Sequence, residues 1–268
     1  MALNKIKKSM VDGLPEELSG LTEQLAQKAK QLNLKNNHTL FFAHRGAEAK
    51  APENTYKAIQ LAFEMGFDGS EFDVQVTSDG QWVLMHDETV DRTTNGTGQI
   101  KNMTLEQVRA LNIDAGNFVS WHMGLKVPLL KDILTLAKKY NKKVYIEVKS
   151  YNNDNDLVNL ANMINTLGIY DTAWVLGHYD LSNKLRTLNL NVKSSISYID
   201  NADFYTALEN KNVVAVEVYP HTLVTTQLID TLRSYGKLVT TGTIRTLEDA
   251  QNLIDLGVDV VGGDIHHA

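Results

Sequence analysis

From Thr39 onward, short β-branched or apolar runs alternate with segments of helical period, and the alternation yields eight strand candidates. They read "TLFFAHR", "GSEFDVQV", "KVYIEVK", "TAWVLGH", "VKSSISYI", "VVAVEVYP", "KLVTTGTI" and "VDVVGGD". Helix-period segments such as "PENTYKAIQLAFEMG", "PLLKDILTLAKKYN", "DLVNLANMINTLG" and "TLEDAQNLIDLG" lie between them. Strands that alternate with helices in this number predict an α/β chain folded as a parallel (β/α)8 TIM barrel. A doubly wound open sheet is the rival, but it uses fewer strands, and no glycine-rich dinucleotide or P-loop fingerprint follows the first strand.

One segment breaks the alternation. "WVLMHD" is strand-like with no helix before it, and it follows "TSDG". Asp-Gly is a strong signal for a two-residue hairpin, so this segment is expected to pair antiparallel with the end of the second strand. A two-residue turn at Asp79–Gly80 pairs positions whose numbers sum to 159, which sets His86 opposite Asp73. Residues 87–127 then form an irregular insertion with one short helix near "TLEQVRALN". The insertion falls on a βα connection, the face where barrels keep their sites.

Residues 1–37 differ from the rest. They are rich in Lys, Gln and Asn and predict one amphipathic helix from Pro15 to Leu34. The domain reading is therefore an N-terminal helical arm over 1–37 and a barrel over 38–268. The arm is a candidate surface for homo-oligomerisation. A formal net charge of -6 argues against nonspecific nucleic-acid or bilayer binding. The N-terminus has no apolar signal region, and no apolar run approaches the roughly 20 residues of a membrane span. The chain contains no cysteine, which excludes disulfides and thiolate chemistry. The expected location is cytoplasmic, or extracellular or virion-associated by a route without a recognisable signal peptide.

Side chains two apart on a strand share a face. Glu71 and Asp73 therefore point the same way, and so do Glu147 and Lys149 near the end of the next barrel strand. His44 and Arg45 end the first strand. Barrel strand ends converge on one mouth, where charges pointing inward are costly unless they bind something. Glu71, Asp73 and Glu147 suit a hard divalent cation, Mg²⁺ or Ca²⁺. Arg45 and Lys149 suit a phosphate. His44 and His86 suit a general base and a general acid. His178 and Tyr219, also at strand ends, are candidate substrate contacts. Together these groups describe phosphodiester cleavage.

The stretch "AHRGAEAKAPENTYKAIQLAFEMGFDGSEFDVQVTSDGQWVLMHDETVDRTTNGTG" resembles the glycerophosphodiester phosphodiesterase family. The HRG, PENT, E-x-D-V, T-x-D-G, HD and RTT-x-G-x-G elements occur in order, and "YIEVK" is similar to the family's later acidic-Lys strand. The resemblance implies a TIM barrel that binds a divalent metal through Glu71, Asp73 and Glu147. It implies His44 and His86 as the catalytic pair and Arg45 and Lys149 as phosphate ligands. The implied substrate is a small glycerophosphodiester. Attack by its own 2-hydroxyl is expected first, through a cyclic phosphate that water then opens. Asn54 and Thr55 are read as capping the first helix, and Arg92, Thr93 and Thr94 as shaping the loop over the site.

The chain departs from the family on the other side of the mouth. "VTTGTI" stands where a tryptophan-bearing "WTVN"-like motif is usual, "GGDIHHA" replaces a Thr-Asp pair followed by proline, and "LGHYD" replaces a Ser-Phe pair. These departures motivate an alternative polymer substrate, poly(glycerol phosphate) of teichoic acid. The start of the arm, "KSMVDGLPEEL", adds to it by resembling attachment segments of phage tail proteins. A catalytically silent glycerophosphate-binding module and a sphingomyelinase-D-like lipid enzyme are the further alternatives.

Overall fold

The structure, a computed structural model, describes residues 39–263. The proposed arm and the terminal His266 and His267 lie outside the described residues. Nine strands form one sheet: β1 (Leu40–Ala43), β2 (Gly69–Val76), β3 (Trp82–Leu84), β4 (Lys143–Val148), β5 (Ala173–Gly177), β6 (Lys193–Ser197), β7 (Val213–Glu217), β8 (Leu238–Ile244) and β9 (Val260–Gly263). Their order is β1-β9-β8-β7-β6-β5-β4-β2-β3, and a further β1–β2 pairing closes the ring. Every pair within the ring is parallel, and β3 runs antiparallel on β2 as an extra strand. The predicted barrel is therefore the observed one.

The helices are α1 (Tyr56–Glu64), α2 (Leu105–Ala110), α3 (Leu130–Tyr140), α4 (Asp154–Leu167), α5 (Tyr179–Thr187), α6 (Ala202–Ala207), α7 (Thr226–Ser234) and α8 (Leu247–Leu256). Thr55 caps α1, accepting a hydrogen bond from the Ala58 amide, as expected from "PENT". None of the described helices is long and apolar enough to cross a membrane.

Alternation along each strand divides the core in two. Outward residues such as Phe72, Val74 and Ile146 pack against helix residues including Ile133, Leu134 and Leu160. Inward residues Phe42, Tyr145, Trp174, Ala215 and Val260 fill the barrel itself. Complete burial of a large apolar side chain is worth about 1.5–3 kcal/mol, so the two layers fix which face of each strand points inward.

The hairpin register differs from expectation by one residue. Val74 faces Leu84 and Val76 faces Trp82, so the numbers sum to 158 rather than 159. The connection has three residues, Ser78 to Gly80, closed by a Thr77–Gln81 hydrogen bond of 3.0 Å. Gly80 takes the left-handed conformation at φ +77 that such a loop requires. The Thr77 hydroxyl fixes the turn by accepting from the Gln81 amide at 3.0 Å. Asp73 therefore lies opposite Met85, whose amide it accepts at 3.1 Å, and not opposite His86. Val83 makes a single bridge to Leu129 on the outer side of β3.

Candidate active site

The inward face of each strand continues past the packed layer into the mouth. Two residues beyond Phe42 stands His44, two beyond Tyr145 stands Glu147, and two beyond Ala215 stands Glu217. A cavity of about 780 Å³ opens there. His44, Arg45, Glu71, His86, Glu147 and Lys149 line one side; Ser197, Glu217, Tyr219 and Arg245 line the other.

Glu71, Asp73 and Glu147 each present a carboxylate oxygen within 4.8 Å of the other two. Strand register explains the cluster, since Asp73 pairs directly with Glu147 across β2 and β4. Asp73 is 1% exposed, accepts the Asn54 side-chain amide at 2.8 Å, and forms ion pairs with Lys149 Nζ at 3.1 Å and Arg45 Nε at 3.2 Å. Asn54 thus does more than lead into α1: its side-chain oxygen also accepts the Asp73 amide at 3.1 Å. Glu71 accepts the Arg45 amide at 3.0 Å through Oε2, while its buried Oε1 has no hydrogen-bond partner among the described residues. Burial raises the Glu71 carboxyl well above its ordinary range, the charge of Asp73 adds to that, and His44 opposes it.

Lys149 Nζ sits between Asp73 and Glu147, 2.6 Å from the latter. Against its burial, these two charges hold its ammonium above the ordinary lysine value. Arg45, the middle residue of the HRG turn, is in a left-handed conformation at φ +51. Gly46 follows at φ +84, and a Cβ there would lie 2.6 Å from the Ala58 backbone. The glycine lets the turn seat on α1 and thereby aims His44 and Arg45 into the mouth.

Arg45 donates to Glu53 at 2.9 Å, and Glu53 takes two hydrogen bonds of 2.8 Å from Arg92. Arg92 also grips Asp87 at 2.7 and 3.0 Å, and Asp87 lies 2.7 Å from His86 Nδ1. A continuous chain of charges therefore links His86 to the carboxylate cluster. The Arg92 hydrogen bonds, outweighing burial, hold the Asp87 carboxyl far below its usual range. An ionised Asp87 only accepts, so Nδ1 of His86 carries the hydrogen and Nε2 is left for proton exchange.

His86 arrives in the mouth by a route other than the expected ladder. β3 ends at Leu84, and the Gln75 side-chain amide bonds the backbone carbonyls of Met85 at 3.1 Å, His86 at 3.3 Å and Asp87. Ser150 donates to the Gln75 oxygen at 3.2 Å.

Of the residues expected to meet at the site, His44, Arg45, Glu71, His86, Glu147, Lys149 and Tyr219 line the cavity, and the buried Asp73 is ion-paired to two of them, Arg45 and Lys149. His178 does not join them. It caps α5, accepting from the Asp180 amide, and lies 2.9 Å from the Asp180 carboxylate. Sequence reasoning passed over Gln75, Glu53, Asp87 and Glu217. Glu217 was within reach of the same argument, being two residues before Tyr219 on one strand face. Burial, and then the charge of Glu147, push its carboxyl up to about 7.

A family-wide sequence profile, described as "Glycerophosphoryl diester phosphodiesterase family", matches residues 44–266. A glycerophosphodiester phosphodiesterase of Caldanaerobacter subterraneus subsp. tengcongensis is 48% identical over 113 residues, covering 42% of this chain and 46% of that protein. The chain thus spans under half of that relative's length. A glycerophosphodiester phosphodiesterase of Bacillus subtilis is 29% identical over 266 residues, covering 90% of this chain and 88% of that one. The crystal structure of glycerophosphodiester phosphodiesterase from Agrobacterium tumefaciens superposes with a TM-score of 0.72 at 26% identity, covering 84% and 96% of the two chains.

Proposed function

The chain belongs to the glycerophosphoryl diester phosphodiesterase family, and from that premise we propose that it hydrolyses glycerophosphodiesters to sn-glycerol 3-phosphate and an alcohol. The observation that carries the reading is the orphaned, buried Glu71 Oε1 inside a cluster of three carboxylates. A buried acceptor of this kind is costly unless something supplies positive charge, and all the donors are hard oxygens. Glu71, Asp73 and Glu147 would hold a divalent cation, Mg²⁺ or Ca²⁺. When bound, such an ion supplies charge that neutralises the phosphoryl oxygens.

The side chains of the protein perform the rest. Arg45 and Lys149 orient the phosphate beside the cluster. One histidine of the pair His44 and His86 takes the proton of the substrate's 2-hydroxyl as that oxygen attacks phosphorus. The other gives a proton to the alcohol oxygen as its bond to phosphorus breaks. The product of this step is a cyclic phosphate and a neutral alcohol. Water then opens the ring with the proton transfers reversed, leaving sn-glycerol 3-phosphate.

The test is release of sn-glycerol 3-phosphate from a glycerophosphodiester with Mg²⁺ or Ca²⁺, with EDTA, and from a 2-deoxy analogue. EDTA is expected to abolish turnover, and His44→Ala to lower kcat by about 10²–10⁴. Turnover that persists in EDTA overturns the metal assignment. Equal cleavage of the 2-deoxy analogue overturns the cyclic route.

A further inference from the structure

The barrel ring places β7 directly across the mouth from β2, four strands away in either direction. Glu217 ends β7, lines the cavity, and is half-buried. Its carboxylate lies outside the three-carboxylate cluster, within electrostatic reach of Glu147 and Lys149, and makes no side-chain hydrogen bond or ion pair among the described residues. The phosphate is assigned to the β2 side, and the attacking glycerol must hold its 2-hydroxyl against phosphorus. The group that extends across to β7 is then the leaving alcohol. Building on that reading of the site, we propose that Glu217 is a specificity residue for the leaving alcohol: it accepts hydrogen bonds from a vicinal diol, so the site favours diesters whose alcohol is a polyol.

Two further observations select a polyol over a cationic head group. The cavity wall on this side carries the hydroxyls of Ser197, Tyr219 and Thr243, while those of Thr240 and Thr241 already donate to the backbone carbonyls of Val216 and Val218. A wall of donor-acceptor hydroxyls around one carboxylate matches the alternating donors and acceptors of a polyol. Arg245 stands exposed on the same rim and forms no ion pair among the described residues. Its charge repels an ammonium group and leaves neutral hydroxyls unaffected. A carboxylate takes both hydrogens of a diol with charge-assisted bonds, and a substrate lacking them leaves it desolvated and unpartnered. Discrimination of that kind falls on binding, since the diol is remote from the phosphorus.

The experiment compares glycerophosphoglycerol with the propyl diester of glycerol phosphate, which has the same carbon skeleton and no hydroxyls on the leaving group. Wild type, Glu217→Gln and Glu217→Asp are assayed with Mg²⁺ after circular dichroism confirms folding. Glu217→Gln is expected to raise KM for glycerophosphoglycerol about tenfold relative to KM for the propyl diester, with kcat within about twofold for both. Glu217→Asp is expected to recover part of the preference. Equal KM increases for both diesters, or an equal fall in kcat, would mark Glu217 as merely structural and overturn the proposal. A larger KM increase for glycerophosphocholine than for glycerophosphoglycerol would overturn the polyol assignment in favour of a cation. No change on Glu217→Gln, in an enzyme that cleaves all three diesters, removes this inference alone. No cleavage of any diester by wild type removes the functional reading and this inference with it.

Discussion

His86 depends on two residues that never touch the cavity floor. Asp87 sets which ring nitrogen carries hydrogen, and Gln75 fixes the backbone that bears the ring. Replacing Asp87 by Asn keeps the shape and removes the fixed acceptor, so the amide can stabilise the other tautomer. We expect Asp87→Asn to lower kcat by at least about a hundredfold, with an unfolding midpoint close to that of wild type. Steady-state kinetics beside thermal melts check this, and an unchanged kcat would detach Asp87 from the chemistry. Sequence reasoning found the titratable residues at the barrel mouth because strand parity and spacing alone mark them. It missed the supporting Gln75 and Glu53 because their partners are backbone carbonyls and a distant arginine, at separations no local pattern encodes.

The β2–β3 hairpin shows what an element-level reading can and cannot extract. Asp79–Gly80 signals a turn, but the same dipeptide also completes a three-residue loop with glycine in the left-handed position. Which loop forms depends on whether Thr77 closes on Gln81, a matter of side-chain hydrogen bonds rather than of pattern. The eight strands and their helices were legible because the barrel's inner and outer layers impose period two on the strands. The end of the ladder at Leu84 was not, since release of the chain is enforced by Gln75 from inside the sheet. A side chain at position 80 would be strained at φ +77. Gly80→Ala is expected to destabilise the fold by about 1 kcal/mol, read as a lower denaturant midpoint with an unchanged slope.

At the scale of the molecule, two carboxyls that the fold raises above their unfolded values couple stability to pH. Glu217 moves from an ordinary 4.5 to about 7, and Glu71 moves in the same direction. The folded state then binds more protons than the unfolded chain from pH 4.5 upward, for Glu217 as far as about pH 7. Below pH 4.5 the destabilising effect is absent; it develops as pH rises, and the part due to Glu217 is complete above about 7. In chelator, the thermal midpoint is expected to fall from pH 5 to pH 7.5, with a shallower slope in Glu217→Gln. Mg²⁺ at about a hundredfold over its dissociation constant should restore about 2.7 kcal/mol at the upper pH. A midpoint that rises with pH in chelator would contradict this assignment of the buried charge.

Ring closure also settles how this molecule meets its neighbours. Every barrel strand is paired on both sides, so the exposed backbone of the described sheet is confined to β3. That strand is three residues long, and its outer side is already engaged by the Val83–Leu129 bridge. A second chain seeking to extend the sheet finds almost no free ladder to copy. The short hairpin strand that leads to His86, covered at Val83 by Leu129, therefore also acts as a guard against edge-to-edge aggregation.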